Sequence, residues 1–290
     1  MTSNAGRTGA LMASGSMVCV QFGLALSIGL IDQIGAEGAA WLRLLWAAVI
    51  LLLIARPRPS AFTRSTFLTC VVLGVVTASV TLLFMAAIDR IPLGTASALE
   101  FLGPLGVAVL AGRGKHRFVW PGFAAVGVLL LTEPWSGTVD FVGVGFALSA
   151  AVCWGCYILL TQRVGDGVDG FNGLAVSMAT AAVFSSVVVG PWVFPRVTPE
   201  ILLIGIGLAF LLPVVPFTLE LMALRRLTTA SFGTLMALEP AFALIVGLIV
   251  LAQVPGPLAV VGICLVVAAG VGAARSGTRS EPPVPAEVGS

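Results

Sequence analysis

From Leu11 to Ala274 the chain is a near-continuous run of apolar residues, cut at intervals by short polar joints. The cuts leave stretches near 11–31, 37–55, 66–88, 92–111, 118–132, 140–161, 173–192, 199–224, 228–251 and 257–274. A helix that crosses a bilayer needs roughly 20 apolar residues, and most of these stretches approach that length. The bilayer core offers no water to backbone amides, and the short alternating segments of a barrel are absent, so the stretches predict helices. The expected fold is an all-α multi-pass membrane protein with ten transmembrane helices.

Charge placement agrees with an even number of spans. With the N-terminus inside, the cytoplasmic joints hold Arg7, Arg56, Arg58, Arg64, Arg113, Lys115, Arg117, Arg163, Arg225, Arg226, Arg275 and Arg279. The opposite side holds Arg90 and Arg196, and Arg43 falls inside a span. Basic residues collect on the cytoplasmic side of membrane proteins, which puts both termini in the cytoplasm. The net charge of +2 is then a by-product of topology and implies no nucleic-acid partner. Hydrophobic residues make up 58% and charged residues 10%, against about 45–50% and 25% in soluble domains. The first apolar run is too long for a signal-peptide core and is expected to stay as a helix. The tail 275–290 is polar and Pro-rich and is expected to be a disordered cytoplasmic segment.

Shifting the chain by 136 residues, without a gap, lays Ala87, Arg90, Leu99, Leu102, Pro104, Pro121 and Leu129 on Ala223, Arg226, Leu235, Leu238, Pro240, Pro257 and Leu265. A unit of five spans enters the membrane from opposite sides in its two copies. The expectation is a first repeat at 1–136 and an inverted second repeat at 137–274, the plan on which many secondary transporters are built, with the site near midplane. Pro104 and Pro240 act as helix breaks. Each removes an amide donor and frees the carbonyl four residues earlier, that of Glu100 in one half and of Met236 in the other.

Four charges lie well inside the spans: Arg43, Glu100, Glu220 and Glu239. Each costs roughly 2.5–3.5 kcal/mol at the bilayer centre even on lenient scales, so each is a candidate for function. Arg43 and Glu100 fall at similar depth, roughly 9–12 Å in, where they either form an ion pair that holds two helices or serve a substrate carboxylate and a proton. Glu239 is the deepest acid, with no base in its own helix, and suits a proton carrier. Glu100 and Glu220 are the other coupling candidates; Glu220 lies near the cytoplasmic end, within reach of Arg225 or Arg226. Gln21, Trp154 and Tyr157 add an amide and two amphipathic rings at depth, either as a cavity wall or as helix packing. The predicted substrate-binding set is Gln21, Arg43, Glu100, Trp154, Tyr157 and Glu239.

Other chemistry finds little support. Cys153 and Cys156 form a C-x-x-C, but no histidine or second pair completes a metal site, and helix packing accounts for them. His116 sits in the loop GRGKHR, so no buried Ser–His dyad forms, and no phosphate-binding loop is present. No cofactor, metal or enzymatic activity is expected. A protein of this kind runs on an ion gradient or on none, with a small molecule, protons and lipid as its partners; a homodimer stays open. The sequence alone also leaves open an uncoupled facilitator or importer, and a membrane sensor or scaffold that transports nothing.

The segments IPLGTASALEFLGPL (91–105), CWGCYILLTQR (153–163), LPVVPFTLELMALRRL (212–227) and FGTLMALEPA (232–241), with VQFG (20–23) and WLRLL (41–45), carry a family likeness. They resemble the EamA-type branch of the drug/metabolite transporter superfamily, and within it a subgroup of bacterial inner-membrane amino-acid exporters. The matches include Gln21, Arg43, Glu100, Pro104, Trp154, Tyr157, Glu220, Glu239 and Pro240. The loop 112–117 and the tail beyond Ala274 have no part in it. The resemblance implies ten helices in two inverted repeats, and export of small amino acids of the threonine and homoserine kind or of related metabolites. Proton antiport is the expected driving mode.

Overall fold

The computed structural model describes residues 2–111, 119–132, 139–167, 172–224, 235 and 237–276. The basic loop around Lys115 and His116, Arg225 and Arg226, and the tail from 277 onward lie outside the described residues, so the expectation of a disordered tail falls there. All regular elements among the described residues are helical.

The order is α1 (Thr2–Ile28), α2 (Ile31–Ala55), α3 (Arg64–Ile88), α4 (Leu93–Glu100), α5 (Leu102–Ala111), α6 (Val119–Thr132), α7 (Phe141–Gly167), α8 (Asn172–Val193), α9 (Pro199–Ala209), α10 (Val215–Leu224), α11 (Glu239–Leu251) and α12 (Pro257–Ser276). Five helical stretches are long and apolar enough to cross a membrane: Arg7–Ile28, Ile31–Ala55, Arg64–Ile88, Phe141–Thr161 and Asn172–Arg196. Shorter apolar helices occupy Leu93–Val107, Val119–Leu131, Pro199–Leu212, Glu239–Leu251 and Pro257–Gly272. The protein is a multi-pass, all-helical membrane protein.

Local chemistry sets the element ends. Thr63 caps α3, its Oγ1 accepting from Thr66 N–H at 3.2 Å while Thr66 Oγ1 accepts from Thr63 N–H at 2.9 Å, a reciprocal capping box. Thr198 caps α9 ahead of Pro199, whose fixed φ suits a first helical position. Gly35 interrupts α2 with φ 79°, a conformation that residues with a Cβ rarely adopt.

The helices pack as a bundle. α2 lies against α8, α4 against α11 and α6 against α12; α3 lies against α7 and α8, and α1 against α10 and α11. Small residues allow the closest approaches. A Cβ on Gly127 would stand 2.8 Å from the Gly262 carbonyl oxygen, and one on Gly262 would stand 2.7 Å from that of Gly127. In a membrane, where lipid is as apolar as leucine, such close backbone packing is a main source of helix association. Gly23 serves the same end on α1, where Leu212 packs into the space a side chain would fill.

The main core gathers Leu42, Met85, Leu93, Leu99, Leu212 and Ala243 from helices distant in sequence. The rim is different: Leu53 is 67% exposed, Val187 73% and Ile249 75%. An apolar belt of that kind is suited to lipid and not to water.

Candidate functional site: a charged joint between interrupted helices

Two of the predicted helix breaks occur where the prolines stand. α4 stops at Glu100, Phe101 forms a turn, and α5 resumes at Leu102. Phe101 N–H donates to Ser97 O at 3.0 Å and Leu105 N–H to Phe101 O at 3.2 Å, while Pro104 has no proton to offer the Glu100 carbonyl. In the other half, Ala237 and Leu238 form a turn, and α11 opens with Glu239 and then Pro240. The N-terminal end of a helix carries partial positive charge from its unsatisfied amides, which faces the Glu239 carboxyl in the first turn. A third irregularity is a π-helical turn at Phe210–Val214 between α9 and α10. Such turns are often found near functional sites, and this one includes Pro213 and stands just before Pro216, neither of which has an amide proton for the helix.

These breaks bring the buried polar groups together. Gln21 on α1 is 1% exposed, and its Nε2 donates to Glu239 Oε1 at 3.3 Å. Glu100 lies within electrostatic range of both Glu239 and Arg43. A direct Arg43–Glu100 pair, one of the two readings of these charges, is not formed: among the described residues, ion pairs within 4.0 Å join Arg90 to Asp140 and Arg196 to Glu37. Arg43 Nη1 instead donates to the Met85 sulfur at 3.6 Å. Its Nε, and Gln21 Oε1, are buried without a hydrogen-bond partner among the described residues. A thioether is a weak acceptor, so the guanidinium keeps most of its donor capacity.

Arg43 faces a cavity of about 220 Å³ that Thr77, Thr81, Tyr157, Leu212 and Pro216 also line. Tyr157 is therefore at the cavity, and it also packs against the small core cluster of Cys70, Leu73 and Val164. Trp154 is not on that wall; its ring packs edge-on against Phe101, centroids 6.5 Å apart, at the joint between α4 and α5. Gln21, Glu100 and Glu239 form a charged joint next to the cavity. Glu220 lies on α10, and its side chain is outside the described residues. Thr77, Thr81, Met85 and Phe101 are additional members. A pair of threonines at i, i+4 in an apolar span was the available signal for the first two.

A second cavity, of about 440 Å³, lies at one end of the bundle between Arg90, Thr95, Asp140, Leu244, Gln253 and Ile263. There Arg90 Nη1 donates to Asp140 Oδ2 at 3.0 Å, and Asp140 Oδ1 accepts from the amides of Val142 and Gly143 at the start of α7. The Gly143 amide first, then the Arg90 guanidinium, holds the Asp140 carboxyl below the ordinary aspartate range. Gln253 Oε1 accepts from Leu93 N–H at 3.0 Å, fixing the start of α4 to the turn after α11. The five cysteines, Cys153 and Cys156 included, are free thiols.

Known proteins resemble this chain in sequence and in fold. The EamA-like transporter family matches residues 141–273. The threonine/homoserine exporter RhtA of Salmonella typhimurium (strain LT2) is 34% identical over 274 residues, covering 93% of this chain and 92% of that protein. RhtA of Escherichia coli (strain K12) is 33% identical over 266 residues, covering 89% and 88%. A solved crystal structure superposes with a TM-score of 0.60 at 16% identity, over 92% of this chain and 96% of that one, a likeness of fold alone. Identity at one third of positions over nine-tenths of the chain makes this chain a member of the EamA-like transporter family, a transporter and not an enzyme.

Proposed function

We propose that the protein exports small amino acids of the threonine and homoserine kind across a bacterial plasma membrane in exchange for protons. The observation that carries this reading is the hydrogen bond from Gln21 to Glu239 beside Glu100, at the point where two helices are interrupted. Interrupted helices place free backbone groups and titratable side chains at membrane depth, where transporters hold substrate and coupling ion. Arg43 binds the substrate carboxylate from the cavity wall, with Tyr157 beside it. Glu239 is the principal coupling acid, Glu100 its partner, and Glu220 a cytoplasmic-side relay. Trp154 braces the joint through Phe101.

In this reading ten spans form two inverted repeats, 1–136 and 137–274, with both termini in the cytoplasm. The packing supports it. Advancing each span by five exchanges the α3–α7 pair with the pair formed by α10 and α1, and returns α2–α8, α4–α11 and α6–α12 to themselves. A pseudo-two-fold relation between halves produces such exchanges, and rocking one half against the other gives alternating access.

The energetics are sufficient. One proton entering across ~100 mV releases about 2.3 kcal/mol, and each tenfold outward gradient of a neutral zwitterion costs about 1.4 kcal/mol. One proton per substrate therefore sustains a gradient of roughly 50-fold. The test is a tolerance screen: a host sensitive to amino-acid excess, expressing this chain, grows at otherwise toxic threonine or homoserine. Growth unchanged for every amino acid tried would remove the reading.

A further inference from the structure

Two groups on the cavity wall have no part in the coupling scheme. Thr77 and Thr81 stand one turn apart on α3, both facing the cavity that holds Arg43. Each hydroxyl donates to the carbonyl four residues back, Thr77 to Leu73 at 2.7 Å and Thr81 to Thr77 at 2.9 Å. A hydroxyl has one proton and two lone pairs. With both protons committed to the helix, these side chains offer acceptor capacity alone.

Arg43 is the opposite case. A guanidinium only donates, and this one has a thioether for Nη1 and no partner among the described residues for Nε. The cavity is thus polarised, with a cationic donor on α2 and neutral acceptors on α3, and apolar side chains such as Leu44, Leu174 and Met178 also line it. Its volume of about 220 Å³ falls below the ~300–1,000 Å³ typical of drug-sized ligands, which restricts the occupant to a small metabolite.

We propose that Thr77 and Thr81 are the specificity-determining residues of this cavity, accepting a hydrogen bond from the side-chain hydroxyl of an amino acid whose carboxylate Arg43 holds. The proposal rests on the export reading above. An ammonium is the competing donor, but Glu100 and Glu239 stand at the adjoining joint and serve it better, since a charge-assisted bond is about twice as strong as a neutral one. The neutral acceptors are left to the hydroxyl.

The experiment uses the full chain in proteoliposomes and measures efflux of labelled threonine and of valine, which carries a methyl in place of the hydroxyl. The wild type should favour threonine. T77V and T81V, nearly equal in shape to the native residues, should lower the threonine-to-valine ratio by roughly 2–10-fold each. T77S and T81S keep the hydroxyl and should restore the ratio. Equal transport of threonine and valine by the wild type, an unchanged ratio in both valine variants, or equal loss of both amino acids in them would each overturn the proposal while leaving export intact. A wild-type chain that moves no amino acid would instead remove the export reading itself, and this proposal with it.

Discussion

Gln21 Nε2 and Glu239 Oε1 are 3.3 Å apart, although 218 positions separate the residues in the chain. This bond fastens the C-terminal third of α1 to the first turn of α11, and it holds a carboxylate within electrostatic range of Glu100, where α4 breaks. A half-buried carboxylate that accepts from an amide, beside a second acid, is a group whose proton occupancy changes when a cation arrives.

E239Q should fold, because glutamine retains size and hydrogen-bonding capacity, yet its export should no longer depend on pH. The measurement is initial efflux of labelled substrate between pH 5.5 and 8.5 from proteoliposomes containing wild type, E239Q or E100Q. A pH profile kept by E239Q and lost by E100Q would transfer the coupling role to Glu100.

Arg43 should behave as a substrate anchor. Hydrogen bonds to charged groups contribute about 1.5–3 kcal/mol, so R43Q should weaken apparent substrate affinity by roughly 10–150-fold. R43K should recover only part of this, since an ammonium lacks the planar fork that grips a carboxylate. Concentration dependence of efflux checks both. Unaltered affinity in R43Q would make the residue a helix-packing element.

The mutual approach of Gly127 and Gly262 gives a stability prediction. G262L forces α12 away from α6 and should cost about 1–3 kcal/mol, as overpacking does. It should appear as a lowered thermal unfolding midpoint in detergent, with substrate affinity little changed in whatever fraction stays folded.

Asp140 supplies a separate pH prediction. Its carboxyl is held below the ordinary range by the Gly143 amide and Arg90, so the link is fully present above the unfolded aspartate value, about 3.9. It is lost only as pH falls through the lower folded value. D140N should therefore leave the shape of the export pH profile unchanged between pH 5.5 and 8.5. A displaced profile would implicate the end of the bundle in coupling.

Much of this was readable from the chain because the bilayer penalises exceptions. Pro104 and Pro240 stand out in apolar helices, and the helices do break beside them. Arg43, Glu100 and Glu239 are conspicuous as charges, and Glu100 does come within electrostatic range of both of the others. Which neighbour each would choose was not readable. A helix that is apolar all round has no amphipathic stripe to tell its inner face from its lipid face, so periodicity could not separate Trp154, packed on Phe101, from Tyr157 at the cavity. For the same reason Met85 was invisible as a partner for Arg43, and Thr77 and Thr81 resembled ordinary helix threonines bonded to their own backbone.

Exchange of a proton for an amino acid would be seen in the lumenal pH of loaded vesicles. Proteoliposomes loaded with threonine and a pH-sensitive dye, diluted into threonine-free buffer, should acidify inside as substrate leaves and protons enter. E239Q should abolish that acidification. Threonine efflux at full rate with a constant lumenal pH, in wild type and E239Q alike, would contradict the claim and leave an uncoupled facilitator.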